Sequence, residues 1–460
     1  MGAVSVLKKH FINKKDVDMT QGNIMSHLIT FAIPLLVGNL LQQLYNMVDT
    51  WVLGQYVEGN AFSAVGAVGP VVNLLIGFFL GFSSGAGVVI SQYYGAHKHE
   101  DVQKTMHTAL CMTAVFAVLF TGLGIVMVPY MLRLMKIPQE AFADASRYLT
   151  IYFSGITGLM FYNIGSGILR SVGDSIRPFV FLAVSAITNT VLDLVFVLVF
   201  DMGVAGVALA TIIAQGLSAV LIMITLIRSD SCIKLNFKKL RIHWGMLKKI
   251  VIIGLPAALQ MAVTSFSNVV VQSYINHFGT DVMGGWTAYS KIDQLIFLPM
   301  QSISLASTTF VGQNLGNNDP ERAKKGVSLS IRMAIISTIV LMIPVIIFSG
   351  PLVAFFNDKE GIVHYGTIFL RWLTPFYVLC CFNQIYAGAL RGAGRSTAPM
   401  VIMLVSFVAF RQIYLFVMAN FISNTVIPIA MSYPAGWLLC SATVYLYYKH
   451  TDIAAARVVK

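Results

Sequence analysis

Leu169-Arg-Ser-Val-Gly-Asp-Ser175 and Leu390-Arg-Gly-Ala-Gly-Arg-Ser396 are two versions of one heptapeptide, 221 residues apart. Each closes an apolar run with Leu-Arg, turns on a glycine and reaches a serine; Pro178 and Pro399 follow at the same offset. Working outward, Gln92-Tyr-Tyr-Gly95 matches Gln313-Asn-Leu-Gly316. Phe31-Ala-Ile-Pro34 matches Ile253-Gly-Leu-Pro256, which sets Asn46 opposite Asn268, 222 residues on. Three matched blocks, in order and at a nearly constant offset, mark an internal duplication.

The duplicated unit is apolar. Of 460 residues 57% are hydrophobic and 11% charged, and the mean hydropathy is +0.76. Soluble domains carry roughly 25% charged residues. A soluble enzyme, a disordered chain and a secreted disulfide module are therefore excluded. About 20 apolar residues cross a bilayer as a helix. Such runs are predicted at 24–52, 63–90, 106–131, 147–168, 177–199 and 204–227, then at 250–276, 284–310, 327–349, 363–388, 398–420 and 425–448. They are continuous rather than alternating, which excludes a membrane β-barrel.

The expected fold is an all-α polytopic membrane protein. Its twelve transmembrane helices form two parallel six-helix lobes, 24–227 and 250–448, around a central cleft. Six is even, so both copies enter the membrane from the same side, and such repeats rock about a site between them. A tail (1–23), a basic linker (228–249) expected on the membrane surface and a C-terminal tail (449–460) complete the chain. The run from Ile24 is too long for a cleavable signal.

The basic residues give the orientation. With the N-terminus inside, 24 of the 31 Lys and Arg fall on cytoplasmic segments, among them Lys8, Lys9, Lys14 and Lys15, and five outside, among them Arg133 and Lys136. This asymmetry predicts a plasma (inner) membrane protein with both termini cytoplasmic. It also accounts for the net charge of +12 without nucleic acid. The five cysteines are scattered and read as small apolar residues, with no metal-ligand spacing. Trp51, Tyr56, Tyr130, Tyr447 and Tyr448 read as interfacial anchors.

Three acids lie within apolar helices: Asp49, Asp193 and Asp293. A carboxylate at the bilayer centre costs about 2.5–3.5 kcal/mol on insertion scales, and such residues mark ion or substrate paths. Asp49 and Asp193 fall at similar depth in the outer half, on the first and fifth spans. Tyr45 and Asn189 each precede one of them by four residues, on the same helical face. Asn163 and Thr211, in the fourth and sixth spans, are placed to point inward. Two carboxyls in one low-dielectric pocket titrate together, as a proton exchanger needs, and the same oxygens suit Na⁺. A buried hydrogen-bond network joining four helices is the other reading.

The second copy has lost both acids, with Val271 and Tyr414 at the equivalent positions. It carries Lys291, Asp293 and Arg411 instead. Asp293 is expected to pair with Arg411, either as a helix-fixing salt bridge or as a substrate contact or gate. Gln260, Met160, Met261, Met283 and Met300 are further candidates for lining a cleft, methionine being adaptable; for each, helix packing is the competing reading. Pro34 and Pro256 are matched hinge candidates.

The ordered set of motifs resembles the multidrug and toxic compound extrusion (MATE) family, most closely its bacterial DinF-like branch. The carriers are the Pro34 helix ending in Tyr45-Asn-Met-Val-Asp49, Gln92-Tyr-Tyr-Gly95, Leu169-Arg170 with Gly173, and Phe310-Val-Gly-Gln313-Asn-Leu-Gly316. The resemblance implies a secondary active efflux antiporter exchanging amphipathic or cationic organic compounds for H⁺ or Na⁺. It implies the coupling site at Tyr45, Asp49, Asn163, Asn189, Asp193 and Thr211. Some branches add a glutamate in the seventh span, where this chain has Gln260 and Thr264. No enzyme is expected and no cofactor beyond the coupling ion. No P-loop, Gly-x-Ser-x-Gly elbow or HExxH occurs. The expected partners are small molecules and lipid, the expected state a monomer. The alternative is a flippase for a lipid-linked saccharide, which needs phosphate-binding arginines, whereas Arg411 alone lies well inside a helix.

Overall fold

The computed structural model describes residues 17–57, 61–135, 137–455 and 457–459. Lys8, Lys9, Lys14, Lys15, Lys136 and Lys460, and the side chain of Trp51, lie outside this description. The described residues are helical, without strands. Eleven helices are long and apolar enough to cross a membrane: Ile24–Asp49, Ala64–Gly95, His99–Leu134, Ile176–Val199, Gly203–Ile227, Trp244–Asn276, Thr280–Gly316, Pro320–Ile347, Glu360–Gly392, Thr397–Ile422 and Val426–His450. The remaining expected span, the fourth, is present as two stacked helices, Gln139–Ser154 and Ile156–Ser171, broken at Gly155. Bulky apolar side chains such as Val115, Val118, Leu119, Leu123 and Val126 of the third span are exposed, as lipid contact requires.

The chain clusters into two compact units. One comprises Pro34–Gly254 with Val17 and Asp18, the other Met19–Ile33 with Leu255–Lys460. The first and seventh helices each change unit beside the matched prolines, at Pro34 and just before Pro256.

The duplication extends to packing that the motifs did not reveal. In the first unit Ser83 Oγ donates to the Asn163 carbonyl at 2.6 Å, and in the second Ser304 Oγ donates to the Gln384 carbonyl at 2.6 Å. Both serines lie on the second helix of their half and grip the fourth. The adjoining Gly167 and Gly388 let the helices close: a Cβ on Gly388 would stand 2.6 Å from Ser304 Oγ, and one on Gly167 would meet Ser83 Oγ.

The two heptapeptides fold alike. Gly173 and Gly394 adopt φ of +88° and +89°, the left-handed conformation that closes a helix end. Asp174 N–H then donates to the Leu169 carbonyl and Arg395 N–H to the Leu390 carbonyl, at 3.0 and 2.8 Å. The sequence repeat is thus a helix-stop signal used twice.

The linker is a docked loop. It holds a single 3-10 turn, Phe237–Lys239, and the seventh helix already begins at Trp244. Asn236 N–H donates to His107 Nε2 at 3.1 Å and His243 N–H to Thr108 Oγ1 at 3.1 Å, so the loop is seated on the start of the third span.

Candidate functional site

The first unit buries a polar cluster at Asp49 and Asp193. The first helix runs unbroken from Ile24 to Tyr56 and carries Tyr45 and Asp49 on one face, one turn apart. The fifth helix delivers Asp193 next to its end at Leu194, where the backbone widens into a π-turn, Val195–Val199. Such widened turns are frequent at functional sites.

The two carboxyl groups stand side by side, close enough to interact directly. Asp193 is wholly buried, and neither of its oxygens meets a donor; Asp49 Oδ1 also lacks one. Asn189, one turn before Asp193, is buried with its amide nitrogen and oxygen both unpartnered. Buried polar atoms are nearly always satisfied in a settled core. Four or more orphans at one place mark a site built for something that comes and goes.

Of the other expected members, Tyr45 lies within electrostatic range of Asp49 and beside Gln42. Asn163 Nδ2 donates to the Leu159 carbonyl at 2.9 Å, and Thr211 Oγ1 to the Val207 carbonyl at 2.9 Å. Both are buried, with these donors spent on their own helices. The sequence reading missed Tyr148, Tyr152 and Gln215. Tyr148 lies within range of both acids, and Tyr152 stands beside Gln215. Tyr148 and Tyr152 are four apart on the Gln139–Ser154 helix, and their stacked rings, 6.2 Å between centroids, roof the cluster.

In the second unit the expected Asp293–Arg411 pair is not formed among the described residues. Asp293 instead stands beside the hydroxyls of Tyr289 and Tyr377, which bond to each other at 3.1 Å. Tyr289 precedes Asp293 by four, so its own helix supplies a partner on the same face. Arg411 begins a helix straight after the π-turn Val405–Phe410. Its Nη2 donates to Ser267 Oγ at 2.6 Å and Asn268 Oδ1 at 2.9 Å, and its guanidinium lies 4.6 Å from the Tyr433 ring centroid. Neutral oxygens and a π-face satisfy it, which removes the need for a carboxylate.

The four methionines divide between core and surface. Met160 belongs to the first unit's apolar core and Met300 is fully buried, so both pack helices. Met261 and Met283 are exposed. Gln260 is buried, its amide against Met403 Sδ at 2.8 Å. Lys291 is exposed. Among the described residues no group of three or more His, Cys, Asp or Glu could hold a metal ion.

The MatE family model matches the chain twice, over residues 34–195 and 256–417, starting at the two matched prolines. The chain belongs to the MatE family. The probable multidrug resistance protein YpnP of Bacillus subtilis is 28% identical over 436 residues, covering 95% of this chain and 97% of its own length. The probable multidrug resistance protein NorM of Thermotoga maritima is 25% identical over 90% of this chain and 89% of its own. A solved MOP superfamily transporter from Pyrococcus furiosus shares the fold, with a TM-score of 0.91 at 21% identity over 96% of this chain and 99% of its own. The MatE chain is accordingly a multi-span membrane transporter and not an enzyme, and its relatives are named for multidrug resistance.

Proposed function

We propose that this MatE transporter is a secondary active antiporter that exports amphipathic organic compounds, cationic ones among them, in exchange for H⁺. Asp49 and Asp193 carry the proton, and a rocking of the two lobes about Pro34 and Pro256 exposes them to either side in turn. The observation that carries this reading is the close carboxyl pair, Asp193 fully buried and Asp49 half-buried, in which three of the four oxygens lack a donor. Two carboxylates this close repel each other unless a proton sits between them. Loss of that proton leaves a charge that must be compensated by another cation. Exchange follows from electroneutrality. Tyr45, Asn189, Asn163 and Thr211 shape the pocket around the pair.

The unpartnered Asn189 amide oxygen favours a second reading, Na⁺ as the coupling ion, because that oxygen and those of Asp193 form a hard-oxygen ligand set. We take the chain to act as a monomer in the plasma membrane, and the split of basic residues supports an orientation with both termini in the cytoplasm.

The test is uptake of a fluorescent organic cation, the ethyl ester of rhodamine B, into proteoliposomes under separately imposed pH and Na⁺ gradients. The pH gradient is expected to drive transport in the wild type but not in Asp49→Asn or Asp193→Asn. Gradient-driven transport retained in both variants would falsify the assignment.

A further inference from the structure

The eighth span, Thr280–Gly316, is enclosed along most of its surface. Beyond its first residue it exposes only Met283, Thr287, Lys291, Gln294, Leu295 and Gln301. These recur every three or four residues, or after two turns, so they form one narrow stripe. Four of the six are polar. The lipid-facing ridge of the third span is, by contrast, Val and Leu throughout. Thr287 Oγ1 donates to the Met283 carbonyl at 2.9 Å, but hydrocarbon would leave the Lys and Gln side chains of this stripe unsatisfied, so the stripe faces water.

Lys291 lies about 16 Å along the axis from Thr280 at 1.5 Å per residue. Among the described residues it makes neither an ion pair nor a hydrogen bond. The nearest acid in sequence, Asp293, points to Tyr289 and Tyr377. Of the unit's other cations within spans, Arg411 rests on Ser267, Asn268 and Tyr433, and Arg371 Nε donates to Ser349 Oγ at 3.0 Å. This unit therefore offers an uncompensated ammonium on a wet surface, with hydrogen-bonding side chains one turn to either side and apolar Met283 and Leu295 alongside. The complement of that surface is an amphipathic molecule with an anionic group.

We propose that Lys291 is the side chain that recognises a carboxylate on the transported compound. The proposal rests on the reading above that the chain exports amphipathic organic compounds, and it names the charge those compounds present to the second unit. An ammonium is a compact point charge with three donors, suited to one carboxylate.

The probes are rhodamine B, which carries a free benzoate, and its ethyl ester, which has the same cationic chromophore without the acid. Binding to the detergent-purified chain is followed by fluorescence anisotropy, and transport by dye uptake in proteoliposomes. Wild type is expected to bind the acid about tenfold more tightly than the ester, the value of one charge-assisted hydrogen bond. Lys291→Gln should weaken the acid alone and bring the ratio near one, whereas Lys291→Arg should keep the preference. Equal affinity of the wild type for both dyes overturns the proposal. So does a ratio unchanged in Lys291→Gln, the result expected if the lysine merely reaches to the membrane interface. The proton reading fails separately: gradient dependence would then be absent for both dyes while the acid-to-ester binding ratio stayed intact.

Discussion

Replacing Asp193 by asparagine should stabilise the protein while abolishing its coupling. Asp193 is fully buried, and both its oxygens and Asp49 Oδ1 lack donors. Asparagine keeps the shape and brings an N–H to the face of Asp49. A hydrogen bond supplied to a buried, unsatisfied acceptor is worth about 1–3 kcal/mol, less the cost of the amide's own burial. At a pH that strips the shared proton from the wild-type pair, the net expectation is a gain of about 1 kcal/mol, or about 1–3 °C in Tm for a chain of this size; where the proton still bridges the pair the gain should vanish. Unfolding in detergent can be followed with a thiol-reactive fluorophore, since Cys380, Cys381 and Cys440 are buried until the fold opens. In the same preparation, drug-induced proton release and pH-driven uptake should fall to the level of empty liposomes. Asp193→Leu is the control: it fills the space, supplies no donor, and should not stabilise. A loss of several kcal/mol in Asp193→Asn would refute the reasoning. It would show that Asp193 holds the helices together through a partner that the asparagine cannot replace.

Gly388→Ala places a methyl 2.6 Å from Ser304 Oγ and 2.9 Å from its carbonyl oxygen; overpacking of about 1–3 kcal/mol outweighs the roughly 1 kcal/mol gain in helix propensity, and Ser304→Ala should restore part of the loss in the same Tm assay. Arg411→Ala should cost about 2–3 kcal/mol, because Ser267 and Asn268 lose their donor and Tyr433 its cation, and Arg411→Lys should recover only part of it in denaturant melts. Partial burial and the neighbouring Arg241 guanidinium hold His243 below its ordinary value, and Arg241 Nε donates to His243 Nε2 at 3.1 Å. That bond needs neutral imidazole, so its stabilisation is present above the ordinary histidine value of about 6.5 and lost as the pH falls through the lowered one. The protection of the 236–243 amides, taken relative to intrinsic exchange at each pH, should therefore fall on acidification, and less so in His243→Gln.

The fold was legible because the membrane imposes it. Twelve apolar runs could be nothing but helices, and the duplicated Leu-Arg-x-x-Gly turn is local enough to read from sequence, since only glycine closes a helix cheaply at positive φ. The break at Gly155 was not legible, because an apolar run looks the same on either side of it. The exchange of the first and seventh helices between units was equally hidden, for a proline says where a helix can bend but not which neighbours it joins. At the site, the i, i+4 pairs Tyr45–Asp49 and Asn189–Asp193 follow from helical geometry alone. Tyr148 and Tyr152 escaped because tyrosine is common in membrane helices and, although both fall within the predicted fourth span, nothing local says which face of it they occupy. The Asp293–Arg411 pair failed on the arginine's side: serine and asparagine oxygens and the Tyr433 ring satisfy Arg411 nearer at hand, and Asp293 stands among tyrosine hydroxyls instead.

The two halves kept the same scaffold and diverged in chemistry, and the physical constraints differ accordingly. Ser83 with Gly167 and Ser304 with Gly388 sit where two helix backbones nearly touch, so any added atom is resisted by a neighbouring main chain that cannot move aside. Both copies therefore retain them. A buried acid is under the opposite pressure, since it costs several kcal/mol and survives only where it does something. The first half has kept Asp49 and Asp193 at that cost, and the second has let the equivalent positions become Val271, now buried among apolar neighbours, and Tyr414, whose hydroxyl donates to the Pro428 carbonyl at 3.2 Å. The second half's acid, Asp293, repeats the Tyr-x-x-x-Asp arrangement of Tyr45 and Asp49, but on the second helix of its half rather than the first. Its neighbours are tyrosine hydroxyls rather than a second carboxyl, so although its Oδ1 also lacks a donor it faces no like charge of the kind that makes the Asp49–Asp193 pair share a proton. On this argument the first unit handles the coupling ion, while the second, with an uncompensated Lys291, is left free to meet the substrate.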